Sequence, residues 1–109
     1  MSNDTLTKKE ARLVRWRILR TLYIGRPYPV TEEWMLDIIC DSATHVSLRE
    51  LRKEIEYLAD ESMGLVNVRK LRHDSDNRDI ALTASGTDFV EYHAPDVEGI
   101  GRPRHATEI

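Results

Sequence analysis

The sequence holds a single cysteine, Cys40, so no internal disulfide can form and no cysteine knuckle can grip a metal. Cys40 lies in the apolar stretch Leu36 to Cys40 and reads as a buried small hydrophobe. No apolar run approaches the roughly 18 residues that a membrane span requires. The start, Met1-Ser2-Asn3-Asp4-Thr5, lacks the apolar stretch of a signal peptide, and a cytoplasmic location is the expectation. There is no glycine-rich phosphate loop. His45, His73, His93 and His105 are far apart in sequence, with no ligand pair on one helical turn of the kind zinc favours. The run Asp74-Ser75-Asp76-Asn77-Arg78-Asp79 fails as a calcium loop, because its sixth position is Asp79 rather than glycine and its twelfth is Ser85 rather than glutamate. Ser47 is committed to capping a helix, which makes it a poor nucleophile. The expectation is a protein with no catalytic residues, no cofactor and no metal.

What is present, 40% hydrophobic and 32% charged residues, is the composition of a soluble globular domain. At 109 residues one small core is the default, with marginal stability or dimerisation to be expected. The net charge of −3 argues weakly against nucleic acid, but the charge is polarised. Residues 1–30 carry +5, residues 31–62 carry −6 and residues 63–109 carry −2, so a basic face can coexist with an acidic total.

Thr7-Lys8-Lys9-Glu10 has the form of a capping box and predicts a first helix over 8–24. Ala11, Val14, Ile18 and Leu22 form its core-facing stripe, while Leu13, Trp16 and Tyr23 fall outside it and hint at a partner subunit. Gly25 and Pro27-Tyr28-Pro29 end that helix. Thr31 caps a short second helix to about Asp41, expected to bury Trp34, Met35 and Ile38, with Glu32 and Glu33 placed in its first turn by the helix dipole. Ser47-Leu48-Arg49-Glu50 is a second capping box, and Leu48, Leu51, Ile55 and Leu58 form the apolar line of a third helix closed by Met63-Gly64. Its opposite side displays Arg49, Lys53, Glu56 and Asp60. His45, just before the Ser47 cap, is expected to tether a loop.

Leu65 to Leu71 alternates and is β-branched, and with Ile80-Ala81-Leu82 it predicts a hairpin around the polar stretch His73–Arg78. Thr83 caps a last helix over about 84–93, which Pro95 stops. The predicted organisation is an α+β, mainly helical, winged helix-turn-helix over residues 1–95: three helices, a β-hairpin wing and a C-terminal helix. Residues 96–109 form an irregular tail.

In such an architecture the third helix enters the major groove by its N-terminal half. Arg49, Arg52 and Lys53 sit there, and Arg69, Lys70, Arg72 and Arg78 flank the hairpin where phosphates or the minor groove would lie. These seven are the candidate DNA-binding residues. The first helix adds Lys8, Lys9, Arg12, Arg15, Arg17 and Arg20, which cannot all point one way. Against DNA stand Glu50, Glu54 and Glu56 among the helix basics, and Asp74, Asp76 and Asp79 in the wing.

The layout of Ile55-Glu56-Tyr57-Leu58, Gly64-Leu65-Val66 and Leu82-Thr83-Ala84-Ser85-Gly86 resembles MarR-, PadR- and ArsR-like winged-helix regulators. A closer resemblance is to small winged-helix proteins of Mu-like phages and prophages, over about residues 11–104. It rests on a first helix of the Arg-x-Ile-Leu type, the His45-Val46-Ser47 entry to the third helix, the Leu-Thr-x-x-Gly step and the terminal Gly101-Arg102-Pro103-Arg104. The resemblance implies phage or prophage origin and a regulatory, DNA-associated role. Two functions therefore stay open: a double-stranded-DNA-binding transcriptional regulator, dimeric through the first helix or the tail, and a protein-interaction winged helix whose partner belongs to a phage packaging or assembly complex.

Overall fold

A computed structural model describes residues 6–41, 44–73 and 76–104. In chain order the elements are α1 (Lys8–Ile24), β1 (Val30–Thr31), α2 (Glu32–Ile39), α3 (Leu48–Ala59), β2 (Val66–Lys70), β3 (Arg78–Leu82) and α4 (Ala84–Val90). Among the described residues four helices and a three-stranded antiparallel sheet make a small α+β fold, compatible with a winged helix. No described helix is long and apolar enough to cross a membrane.

α1 begins where its capping box predicts. The Glu10 amide donates to Thr7 Oγ1 at 3.1 Å, and the Thr7 amide donates to Glu10 Oε1 at 3.0 Å. The helix buries more than one stripe. Ala11, Val14, Ile18 and Leu22 face inward as expected, but so do Leu19 and Trp16, whose ring meets Phe89 edge-to-face with centroids 6.5 Å apart. Trp16 is therefore a core residue rather than a subunit contact. Tyr23 is half-buried and donates its hydroxyl to Glu91 Oε2 at 2.9 Å, while Leu13 stays exposed. A helix covered on both sides in this way is the axis on which the rest of the chain packs.

α2 starts at its predicted cap, with the Trp34 amide donating to Thr31 Oγ1 at 3.2 Å, but it turns a different face inward. Glu32, Met35 and Ile39 are buried, whereas Trp34 and Ile38 are 62% and 41% exposed. The spacing i, i+3, i+7 of the buried set is a proper helical stripe that shares Met35 with the expected face but lies about a quarter of a turn from it. Cys40 is half-buried rather than buried, its Sγ 3.2 Å from the Val46 carbonyl. The loop before α3 is tethered by Thr44, which donates its amide to Asp41 Oδ1 at 2.7 Å; His45 is exposed.

α3 carries the second capping box, the Glu50 amide donating to Ser47 Oγ at 3.1 Å. Leu51, Ile55 and Leu58 are fully buried, but Leu48 at the first position is 36% exposed. The helix stops at Ala59, earlier than expected, and the turn that follows ends at Gly64 with φ +60°, a conformation costly for any residue with a Cβ. The hairpin pairs Val66 with Leu82, Val68 with Ile80 and Lys70 with Arg78. A third strand joins it: Val30 and Thr31 pair with Ile80 and Asp79, giving the order β1-β3-β2. This two-residue strand, which was not expected and which ends on the Thr31 cap, lashes the α1–α2 connection to β3.

α4 ends at Val90, three residues early. His93 donates its amide to the Asp88 carbonyl (2.8 Å) and Tyr92 to Phe89 (3.2 Å), the paired bonds of a Schellman cap. The left-handed residue there is Tyr92, φ 64°, where glycine is the usual occupant. Its cost is offset by the tail: Tyr92 donates its hydroxyl to the Pro103 carbonyl at 2.6 Å, and the Arg102 guanidinium sits 4.5 Å from its ring centre. The described part of the tail, 96–104, has no helix or strand, as expected, yet it is built into the core. Ile100 is fully buried, Gly101 donates its amide to the Arg12 carbonyl (2.9 Å), and Arg102 donates to the carbonyls of Phe89 (2.9 Å) and Ala94 (3.0 Å). Full burial of an isoleucine is worth about 1.5–3 kcal/mol, enough to hold an irregular segment in place.

Candidate nucleic-acid interface

The buried leucine side of α3 forces its other side outward. Arg49, Lys53 and Glu56 are exposed there, and among the described residues no ion pair or hydrogen bond engages Arg49 or Lys53. Lys70 and Arg72 are likewise exposed and unpaired among the described residues, on the hairpin beside α3. Arg69 is 77% exposed, with a 3.3 Å bond to Asp79, its register partner across β2 and β3. The tip residues Asp74 and Ser75 of the rejected calcium loop lie outside the described residues.

Arg52 and Arg78 occupy a different environment. Both converge on Glu32, which is 1% exposed. Arg78 donates through Nη2 at 2.7 Å and Nε at 3.0 Å to Oε2, while its amide reaches Oε1 at 3.3 Å. Arg52 Nε lies 3.2 and 3.3 Å from the two carboxylate oxygens, and its Nη2 donates to the Asp76 carbonyl. Burial pushes the Glu32 carboxyl upward, but the hydrogen bonds and charges of Arg78 and Arg52 outweigh it, and its pKa lies below the ordinary glutamate range. The Arg78 guanidinium is pushed the other way, chiefly by its bond to Glu32. Glu33 adds a second link, its amide donating to Asn77 Oδ1 (3.3 Å) while Asn77 Nδ2 donates to Glu33 Oε2 (3.1 Å). The start of α2 thus clasps both α3 and the loop end of the hairpin, which ties the two together. Arg52 and Arg78 serve this internal clasp, and the outward cations are Arg49, Lys53, Arg69, Lys70 and Arg72.

Sequence reasoning read Glu32 only as a dipole-favoured first-turn acid. The signal that would have found its role is its spacing, three and seven residues before Met35 and Ile39, which puts a carboxylate on the buried stripe and demands a cationic partner. Of the other acids set against DNA binding, Glu54 is 5% exposed and held by Arg15 Nε at 2.7 Å, and Glu50 is nearly buried in its capping box with Oε2 lacking a hydrogen-bond partner. Only Glu56 remains on the outward face of α3. On α1, Arg17 reaches Asp41 (3.4 Å), while Lys8, Lys9, Arg12 and Arg20 are exposed.

At the end of α4, Asp88, Glu91 and His93 each bring a ligand atom within 4.8 Å of the others. Glu91 is already engaged by Tyr23 and, at 3.9 Å, by Arg26, and the other two residues are exposed, so the trio is an ordinary polar surface. No protein-family model matches this chain, and no curated protein matches it.

Proposed function

We propose that the protein is a winged-helix DNA-binding protein, a transcriptional regulator of phage or prophage origin that acts without catalysis and without a cofactor. The observation that supports this best is the pair Arg49 and Lys53, exposed and, among the described residues, unpaired on the N-terminal half of α3, flanked by the cations of the hairpin. α3 enters the major groove, Arg49 contacts a base edge or phosphate, and Lys53 neutralises a phosphate. Arg69, Lys70 and Arg72 track the adjoining backbone. A homodimer through the exposed residues of α1, Leu13 and Ile24, would match a two-fold operator.

The test is binding of the purified protein to DNA upstream of its own gene, measured by fluorescence anisotropy across a salt series. Wild type is expected to lose affinity steeply with salt, and Arg49→Ala with Lys53→Ala to reduce the log–log slope by about 2. No binding at low salt refutes the reading. The second reading, a protein-interaction winged helix in a phage packaging or assembly complex, is favoured by one observation: α2 exposes Trp34 and Ile38 beside Glu33 and Asp37, an apolar and acidic surface unsuited to DNA.

A further inference from the structure

A cleft of about 420 Å³ opens between the start of α1, the middle of α3 and the tail. Its volume is within the range of small-ligand sites. Leu6 and Ala11 give it an apolar part, and Lys8, Arg12 and Lys53 stand around it from two helices. All three cations are exposed, so they reach solvent and any ligand in the cleft. The acids nearby do not cancel them. Glu54 is held by Arg15, and the exposed Glu98, whose backbone carbonyl accepts from Arg12 Nε at 2.6 Å, leaves one carboxylate against three cations. Lys8 and Lys53 have no partner among the described residues, and only Nε of Arg12 is engaged. The backbone donors at the start of α1 are partly satisfied by the Thr7–Glu10 capping box, so the cations would do the binding.

The tail wall is shaped for this position. Arg15 stacks 3.7 Å from the centre of the Tyr57 ring and donates Nη1 to the Gly99 carbonyl at 2.8 Å. A side chain at Gly99 would collide with the Tyr57 hydroxyl, so only glycine lets the tail lie this close. One wall is thereby held by Arg15, Tyr57 and Gly99, while the charged rim is left open.

We propose that this cleft binds a phosphate group. Three cations set against one free carboxylate, that of Glu98, leave an excess of positive charge that suits a multi-oxygen dianion better than a planar carboxylate, which a fixed arginine fork would recognise. Two sources share the chemistry: a backbone phosphate of DNA lying along α3, and a phosphorylated small molecule. The site does not depend on the DNA-binding reading, although Lys53 belongs to both.

The test is an amide NMR titration of the full chain with sodium phosphate and with ribose 5-phosphate, against sodium chloride at equal ionic strength. Saturable shifts are expected at Lys8, Arg12, Lys53 and Gly99, with affinity in the millimolar range or tighter. Lys8→Gln should weaken binding at least about fivefold, while Lys9→Gln, which alters net charge equally but lies outside the cleft lining, should leave it unchanged. Absence of saturable shifts, or equal weakening by both variants, overturns the proposal. A duplex-DNA salt series separates the sources. If the ligand is backbone phosphate, Lys8→Gln lowers the salt slope by about 1; if it is a small molecule, DNA binding is unaffected while ribose 5-phosphate binding falls. Phosphate binding by a protein that binds no DNA supports the cleft and removes the DNA reading instead.

Discussion

Replacing Glu32 by alanine should be among the most damaging single changes to this protein. The carboxylate is 1% exposed and accepts from two arginines, so its removal strands two guanidinium groups. Breaking a buried ion pair from one side typically costs about 3–5 kcal/mol. Here the Arg52 and Arg78 side chains retain 35% and 21% exposure and regain part of their hydration, so the expected loss is about 2–4 kcal/mol. With a urea slope of about 1–1.5 kcal/mol per molar, the unfolding midpoint should fall by roughly 2 M, read by tryptophan fluorescence. Replacing Glu32, Arg52 and Arg78 together by leucine and two methionines should recover most of that loss, because no stranded charge remains. A loss below about 1 kcal/mol for Glu32→Ala, the size of an exposed surface pair, would refute the reasoning by showing the carboxylate hydrated in the folded protein.

The same group predicts a pH dependence. Because its pKa is depressed on folding, its stabilisation is complete above the unfolded glutamate value of about 4.3 and disappears as pH falls through the lower folded value; Glu32→Gln should flatten the stability curve in that acid range. Ile100→Ala should lose about 2–4 kcal/mol in urea unfolding if the tail is part of the core, and near zero if it is a loose appendage. Gly99→Ala should shift the tail away from Tyr57 and Arg15, visible as lost amide protection at Gly101, whose amide is bonded to α1. Iodide should quench Trp34→Phe far less than Trp16→Phe, since the tryptophan each variant keeps is buried in the first and exposed in the second.

The order of elements was legible in the sequence because it is written in local chemistry. The Thr7–Glu10 and Ser47–Glu50 boxes, the Thr31 and Thr83 caps and the alternation after Leu65 act within a few residues of themselves, and α1 begins and ends where they place it. The outward face of α3 followed for the same reason, since burying Leu51, Ile55 and Leu58 leaves Arg49 and Lys53 opposite. What local pattern could not supply was every decision made between elements far apart in the chain. The burial of Trp16 depends on where Phe89 of α4 comes to rest. The pairing of Val30 with Ile80 needs a strand fifty residues away. The withdrawal of Arg52 and Arg78 into a clasp exists only because Glu32 is brought to both, and a charge changes from a surface ligand to a structural bond when an opposite charge is held beside it out of water. Capping and periodicity are settled by a residue and its near neighbours, whereas burial and ion pairing are properties of the folded whole.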